Sequence, residues 1–112
     1  MSDRKTDTFT LLSAVTVSAT GTSGVQDVSR FTEALLLIAA SSKTGSPTVD
    51  IVVKASDASD GTFHAHTTVA QITANANVDA VKLTNIGEQL RLDYTYGGSG
   101  SIVITAKLIC KN

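Results

Sequence analysis

The strongest constraint on the fold is an alternation of apolar with polar residues along the C-terminal part of the chain, over residues 89–96 and 101–110. The residues predicted to face inward are Leu90, Leu92, Tyr94, Tyr96, Ile102, Ile104, Ala106, Leu108 and Cys110; the intervening residues are mostly polar, apart from Val103 and Ile109. Successive side chains of a β-strand point to opposite faces of the sheet, so a period of two predicts strands with one buried face.

A glycine-rich stretch, "YGGSGS", joins these two runs and contains Gly97, Gly98 and Gly100. A phosphate-binding loop would aim its backbone N–H groups from the start of a helix. The residues that follow, "IVITAKLI", have the period of a strand instead, and the Lys-Ser/Thr pair of a P-loop is missing. We therefore predict a β-hairpin, in which glycine supplies the positive φ angles of the turn.

Further strands are predicted upstream of this hairpin. Val49, Ile51, Val53 and Ala55 alternate with Asp50, Val52, Lys54 and Ser56, which again predicts a strand with one buried face. The stretch "KTGSP" that precedes this strand, residues 43–47, has the composition of a turn. The apolar run "FTEALLLIAASS" at residues 31–42 suits a helix or a strand buried on both faces; we predict a strand because its neighbours are strands.

Together these segments predict an all-β fold, an antiparallel β-sandwich or jelly roll of about seven or eight short strands. The abundance of threonine, serine and valine agrees, since β-branched side chains pack well on a pleated sheet. Residues 9–112 are predicted to form one domain. The polar residues 1–8, "MSDRKTDT", are predicted to form an arm that is flexible or ordered only by a partner.

Charge and composition argue against several classes of function. Nine basic and ten acidic residues give a net charge of −1 without a basic stripe, so nucleic-acid binding is not expected. The longest apolar run, residues 34–40, is far shorter than the roughly 20 residues that span a bilayer. With Cys110 as the sole cysteine and no apolar leader at the N-terminus, we expect a soluble protein made in a reducing compartment.

Few residues suggest chemistry. His64 and His66 would share one face of a strand, but a metal site needs at least one further ligand and the sequence selects none. The stretch "DASDG" at residues 57–61 lacks the spacing of a calcium loop and predicts a turn. Cys110 falls on the predicted inner face, which suggests a buried thiol. We predict no catalytic, cofactor-binding or metal-binding residue, and no enzymatic activity.

Several segments nevertheless resemble small proteins from tailed-phage structural gene clusters. The pattern is an apolar strand, a Ser-Pro-Thr loop, an alternating strand with an acidic turn, an Ile-Gly turn, an Arg-Leu-x-Tyr strand and a Gly-Gly hairpin. The resemblance extends over residues 35–108. The Ser-Pro-Thr loop is residues 46–48, and the alternating strand with its acidic turn is residues 49–61. The Ile-Gly turn is residues 86–87, the Arg-Leu-x-Tyr strand is residues 91–94, and the Gly-Gly hairpin is residues 97–100.

This resemblance implies a β-sandwich decoration, or cement, protein that coats a phage capsid. Such a protein is made in the host cytoplasm, binds the major capsid protein on the outside of the shell and clamps neighbouring subunits together. A dimer or a trimer on the capsid is implied. Its contact surface would be a strand edge, the loops at residues 22–24 and 46–48, or the N-terminal arm.

Two alternatives to capsid decoration stay open. One is another virion part, such as a head–tail connector or a tail or baseplate component. The other is a carbohydrate-binding or adhesion module, because β-sandwiches often carry such sites. The second is disfavoured by the small number of aromatic residues, since stacking on sugars needs exposed rings.

Overall fold

The structure is a computed structural model that describes residues 6–57, 61–78 and 80–111. It has eight strands in one antiparallel sheet, which confirms the predicted all-β antiparallel class. The strands are β1 (Thr6–Val17), β2 (Gly21–Thr22), β3 (Gln26–Asp27), β4 (Glu33–Ser56), β5 (His64–Thr68), β6 (Ala76–Asn77), β7 (Val81–Thr84) and β8 (Gln89–Lys111). No helix that could cross a bilayer is found among the described residues.

A long ribbon of two antiparallel strands, β4 and β8, is the centre of the sheet. The strands contain 24 and 23 residues and pair from Glu33 opposite Lys111 to Ser56 opposite Gln89. A straight strand of this length would measure about 80 Å. The longest dimension of the molecule is only 49 Å, so the ribbon must bend back on itself.

The bent ribbon gives the molecule two layers. In the first layer, the N-terminal half of β4 and the C-terminal half of β8 are flanked by β1 on one side and by β6 and β7 on the other. In the second layer, the remaining halves are flanked by β5 and by β2 and β3. Buried side chains from both halves form one hydrophobic cluster, as in a β-sandwich.

The predicted turn at residues 43–47 and the predicted hairpin at residues 97–100 are both wrong. These stretches lie inside β4 and β8, where Gly45 pairs with Gly100 and Pro47 with Gly98. The two alternating runs are therefore successive parts of one strand, and each pairs with β4 rather than with the other. Glycine is still required, since Gly98 and Gly100 have φ angles of 79° and 81°.

A β-bulge in β4 sets which side chains face the core. Ser41 pairs with Val103 and Thr44 with Ser101, so two residues of β4 lie opposite one residue of β8. The bulge residue Ser42 has a φ of 52°. The buried positions of β4 consequently change from even numbers before the bulge (Ala34 to Ala40) to odd numbers directly after it (Pro47 to Val53), whereas the buried residues of β8 are even-numbered on both sides of its glycines.

The inward positions predicted from alternation are largely confirmed. Val49, Ile51 and Val53 are buried, as are all the predicted inward residues of β8 except the two tyrosines; Ala55 and the tyrosines are half-buried. The run at residues 31–42 is a strand from Glu33 onward, as predicted, but only one of its faces is buried.

Two predicted segments extend beyond the described residues. The strand β1 begins at Thr6, so residues 6–8 of the predicted arm pair with β8, and residues 1–5 lie outside the described part. Of the predicted acidic turn at residues 57–61, residues 58–60 lie outside it as well.

Replacement of Gly98 by alanine should destabilise the bent ribbon strongly. An added Cβ would overlap the carbonyl oxygen of Ser46 across the ribbon, and the positive φ adds strain. We expect the free energy of unfolding to fall by about 2 kcal/mol or more. Equilibrium unfolding in urea would measure this change.

Gly24→Ala is the matched control for Gly98→Ala. A Cβ built on Gly24 meets no atom within 4 Å, and this glycine does not have a positive φ. We expect a change of less than about 1 kcal/mol. Equal losses for the two variants would show that the ribbon does not need a glycine at position 98.

Candidate interaction surface

The outer face of the first layer carries an unusual apolar stripe. It consists of Leu35, Leu37 and Ala39 on β4 and Ile109 on β8, and we call it the outer stripe. Leu35 lies directly opposite Ile109 in the pairing of the two strands. These side chains alternate with the buried even-numbered residues of β4, so they project away from the core.

The two leucines of the outer stripe are substantially exposed. Leu35 and Leu37 expose 37% and 38% of their surface, whereas Leu36 between them is fully buried. Single exposed apolar residues are normal on proteins, but contiguous ones on one sheet face are typical of interaction sites. The outer stripe is therefore the best candidate for a contact surface.

Lysines lie on both sides of the outer stripe. Lys82 on β7 pairs with Leu35, and Lys107 on β8 pairs with Leu37. Both lysines are exposed, and neither has an ion-pair partner within the described residues. At the end of the stripe, Lys111 Nζ lies 3.0 Å from Glu33 Oε1. The face thus combines apolar surface with exposed positive charge.

Two open depressions border the stripe. The first has a volume of about 340 Å³ and the second about 290 Å³. Lys107 lines the first with Leu37, Ala39 and Asn77. Lys82, Lys111 and Glu33 line the second with Leu35 and Ile109. Each depression could hold one apolar side chain of a partner beside a lysine.

The strand edges are less suited to binding a partner strand. At the edge of the first layer, β1 has register shifts on both sides of Leu12, and Ala14 has a φ of 48°. At the edge of the second layer, β5 has only five residues and its own register shift. Bulges and short lengths are features that oppose edge-to-edge pairing.

The predicted contact loops have structural roles of their own. Residues 46–48 are part of β4 and form no loop. In the stretch at residues 22–24, Ser23 is buried, and its Oγ accepts a hydrogen bond of 2.8 Å from the backbone N–H of Leu92. This serine fastens the connection after β2 to the central ribbon.

The two histidines do not form a site together. Val53 pairs with Thr67 but Lys54 pairs with Ala65, so His66 is the extra residue of a bulge. Its Nε2 donates a 2.6 Å hydrogen bond to the carbonyl oxygen of Thr84 on β7, which ties the second layer to the first. Among the described residues, no group of three or more His, Cys, Asp or Glu side chains could hold a metal ion.

On the outer face of the second layer, charged side chains form ion pairs with one another. Arg91 Nε donates to Asp93 Oδ1 at 2.8 Å, and Lys54 Nζ lies 3.9 Å from Asp93 Oδ2. The Arg91 guanidinium also stacks 4.3 Å above the ring of Phe63. These charges are paired with one another, whereas Lys82 and Lys107 have no such partner among the residues that the structure describes.

Cys110 is fully buried, in agreement with its predicted inward position. Burial, with a smaller contribution from the Asp7 carboxylate, raises the pKa of its thiol from 9.0 to about 11. Asp7 is the residue that pairs with Cys110 across β1 and β8. A neutral, inaccessible thiol is a packing group of the core and not a nucleophile.

The sequence indicated only part of the outer stripe. The apolar run at residues 31–42 predicts a strand buried on both faces, so it does not predict that Leu35 and Leu37 are exposed. Lys82 and Lys107 belong to different strands, so only the pairing of β7, β4 and β8 brings them to the same surface.

The fold of this chain occurs in solved structures. No protein-family model matches the sequence, and no curated protein sequence matches it. The chain is similar to the SPBc2 prophage-derived protein YomS, with a TM-score of 0.66 and 16% identity over 100% of this chain and 97% of the other. A structure from disulfide-linked Bacillus endospore appendage pili matches with a TM-score of 0.49 and 16% identity, covering 96% of this chain and 83% of that one.

The raised pKa of Cys110 should make stability fall at alkaline pH. Between about pH 9 and pH 11 the unfolded thiol loses a proton that the folded thiol keeps, so the free energy of unfolding decreases by about 2–3 kcal/mol. The Cys110→Ala variant has no thiol, so its stability lacks this pH-dependent decrease. The stability difference between the wild type and this variant should therefore shift in the variant's favour as the pH rises. A difference that stays constant over this range, measured by urea unfolding, would contradict the raised pKa.

Proposed function

We propose that this protein is a structural component of a phage particle, and more specifically a capsid decoration protein that binds the major capsid protein. The observation that carries the proposal is the outer stripe, an apolar surface bordered by Lys82 and Lys107, which pair with no acidic group in the described part of the chain. The fold shared with a prophage-derived protein supports a phage setting.

The proposed role is structural and not enzymatic. The polar groups that come together among the described residues pair with one another, as Arg91 does with Asp93 and His66 with Thr84. Such contacts fix the shape of the protein. A stable shape is what a clamp between neighbouring capsid subunits requires.

The size of the outer face suits a role in which many copies act together. The outer face is four strands wide, with strands about 4.8 Å apart, and about nine residues of β4 long. Its area is therefore on the order of 500 Å². A typical stable interface uses about 800 Å² on each partner. One such contact would be weak, but a dimer or trimer that makes several contacts on one shell gains avidity.

The position of the protein on the particle tests this proposal. Particles made by the cell that encodes the chain would be purified, and their proteins identified by mass spectrometry and located by electron cryo-microscopy. We expect many symmetrically placed copies on the outside of the head. A location on the tail would overturn capsid decoration and keep the wider proposal, whereas absence from the particles would overturn both.

A further inference from the structure

We infer that the outer stripe binds a different protein whose surface is apolar and carries carboxylates opposite Lys82 and Lys107. This inference rests on the proposed function, since it describes the chemistry of the partner on the particle. It does not assign that role to a second copy of this chain.

The position of the two lysines defines the arrangement that a partner must match. The strand order β7, β4, β8 places Lys82 on one side of the leucines and Lys107 on the other. The two lysines are two strand spacings apart across the sheet and two residues apart along it. Their Cα atoms are therefore separated by about 12 Å.

An apolar partner without acidic groups would be a poor match for this face. Docking would remove water from Lys82 and Lys107, which have no ion-pair partner among the described residues. A charge that loses its water without gaining a partner opposes binding. Carboxylates on both sides of an apolar ridge would offset this cost and would also select the partner.

The same charges disfavour pairing of this face with itself. A two-fold axis lying along the stripe would bring Lys82 of one copy close to Lys107 of the other. Glu33, the acidic residue of β4 at the end of the stripe, already forms an ion pair with Lys111. Like charges would therefore meet across such an interface and lower its stability.

A carbodiimide, which joins an amine to a carboxylate without a spacer, tests the contact directly on intact particles. We expect Lys82 and Lys107 to form cross-links with acidic residues of another virion protein, identified by mass spectrometry of the digested particles. The exposed Lys43, on the bulge of β4 away from the stripe, serves as the internal control and should not form these cross-links.

Competition between variants measures how much the face contributes. Each variant would be produced together with the wild type, and the ratio of the two chains in purified particles would be compared with their ratio in the cell. Lys82→Glu/Lys107→Glu and Leu37→Ser should each be depleted at least about tenfold, since a tenfold change needs only about 1.4 kcal/mol.

Two matched controls separate binding from folding. Lys43→Glu changes the charge of an exposed lysine elsewhere, and Val25→Ser removes an apolar side chain that is 51% exposed outside the stripe. Both should enter particles as the wild type does. Thermal unfolding should give similar Tm values for all variants, because each substituted side chain is exposed.

The outcomes distinguish the two proposals. If the protein is present on particles but the stripe variants enter normally, or if the lysines cross-link only to another copy of this chain, the inference is wrong and the proposed function stands. If the protein is absent from the particles, both are wrong. Depletion of the stripe variants together with cross-links to a different virion protein supports the inference.

Discussion

The antiparallel pairing of β4 with β8 is the interaction on which the rest of the structure depends. Each of the other six strands pairs with one of these two, so the ribbon supplies every other strand with its neighbour. A ribbon of this length cannot bury a face against itself while it is straight. Its bend brings the two halves together and creates the shared core.

The two strands accommodate the bend in different ways. In β8 it is accommodated by Gly98 and Gly100, where an added Cβ would overlap the carbonyl oxygens of Ser46 and Thr44 on β4. In β4 it coincides with a bulge at Ser42 that changes which positions face inward. Without that extra residue, the apolar positions of β4 after the bulge would lie opposite the polar positions of β8.

The two outer faces of the sandwich differ because their charges are arranged differently. On the second layer, Arg91 and Lys54 both form ion pairs with Asp93. On the first layer, Lys82 and Lys107 border exposed leucines and have no ion-pair partner within the described residues. An unbalanced face of this kind is a natural place for a partner, and it gives the proposed decoration role a specific surface.

The sequence by itself determined the all-β class and most of the inward positions, because a period of two is a local property of each strand. It also placed Cys110 in the core for the same reason. Sequence reasoning failed at residues 43–47 and 97–100, where glycine, serine and proline have the composition of turns. Only the tertiary structure decided that these residues continue two strands, because they face each other across the ribbon. The tertiary structure also decided which residues form and border the outer stripe, since residues distant in sequence meet there only through strand pairing.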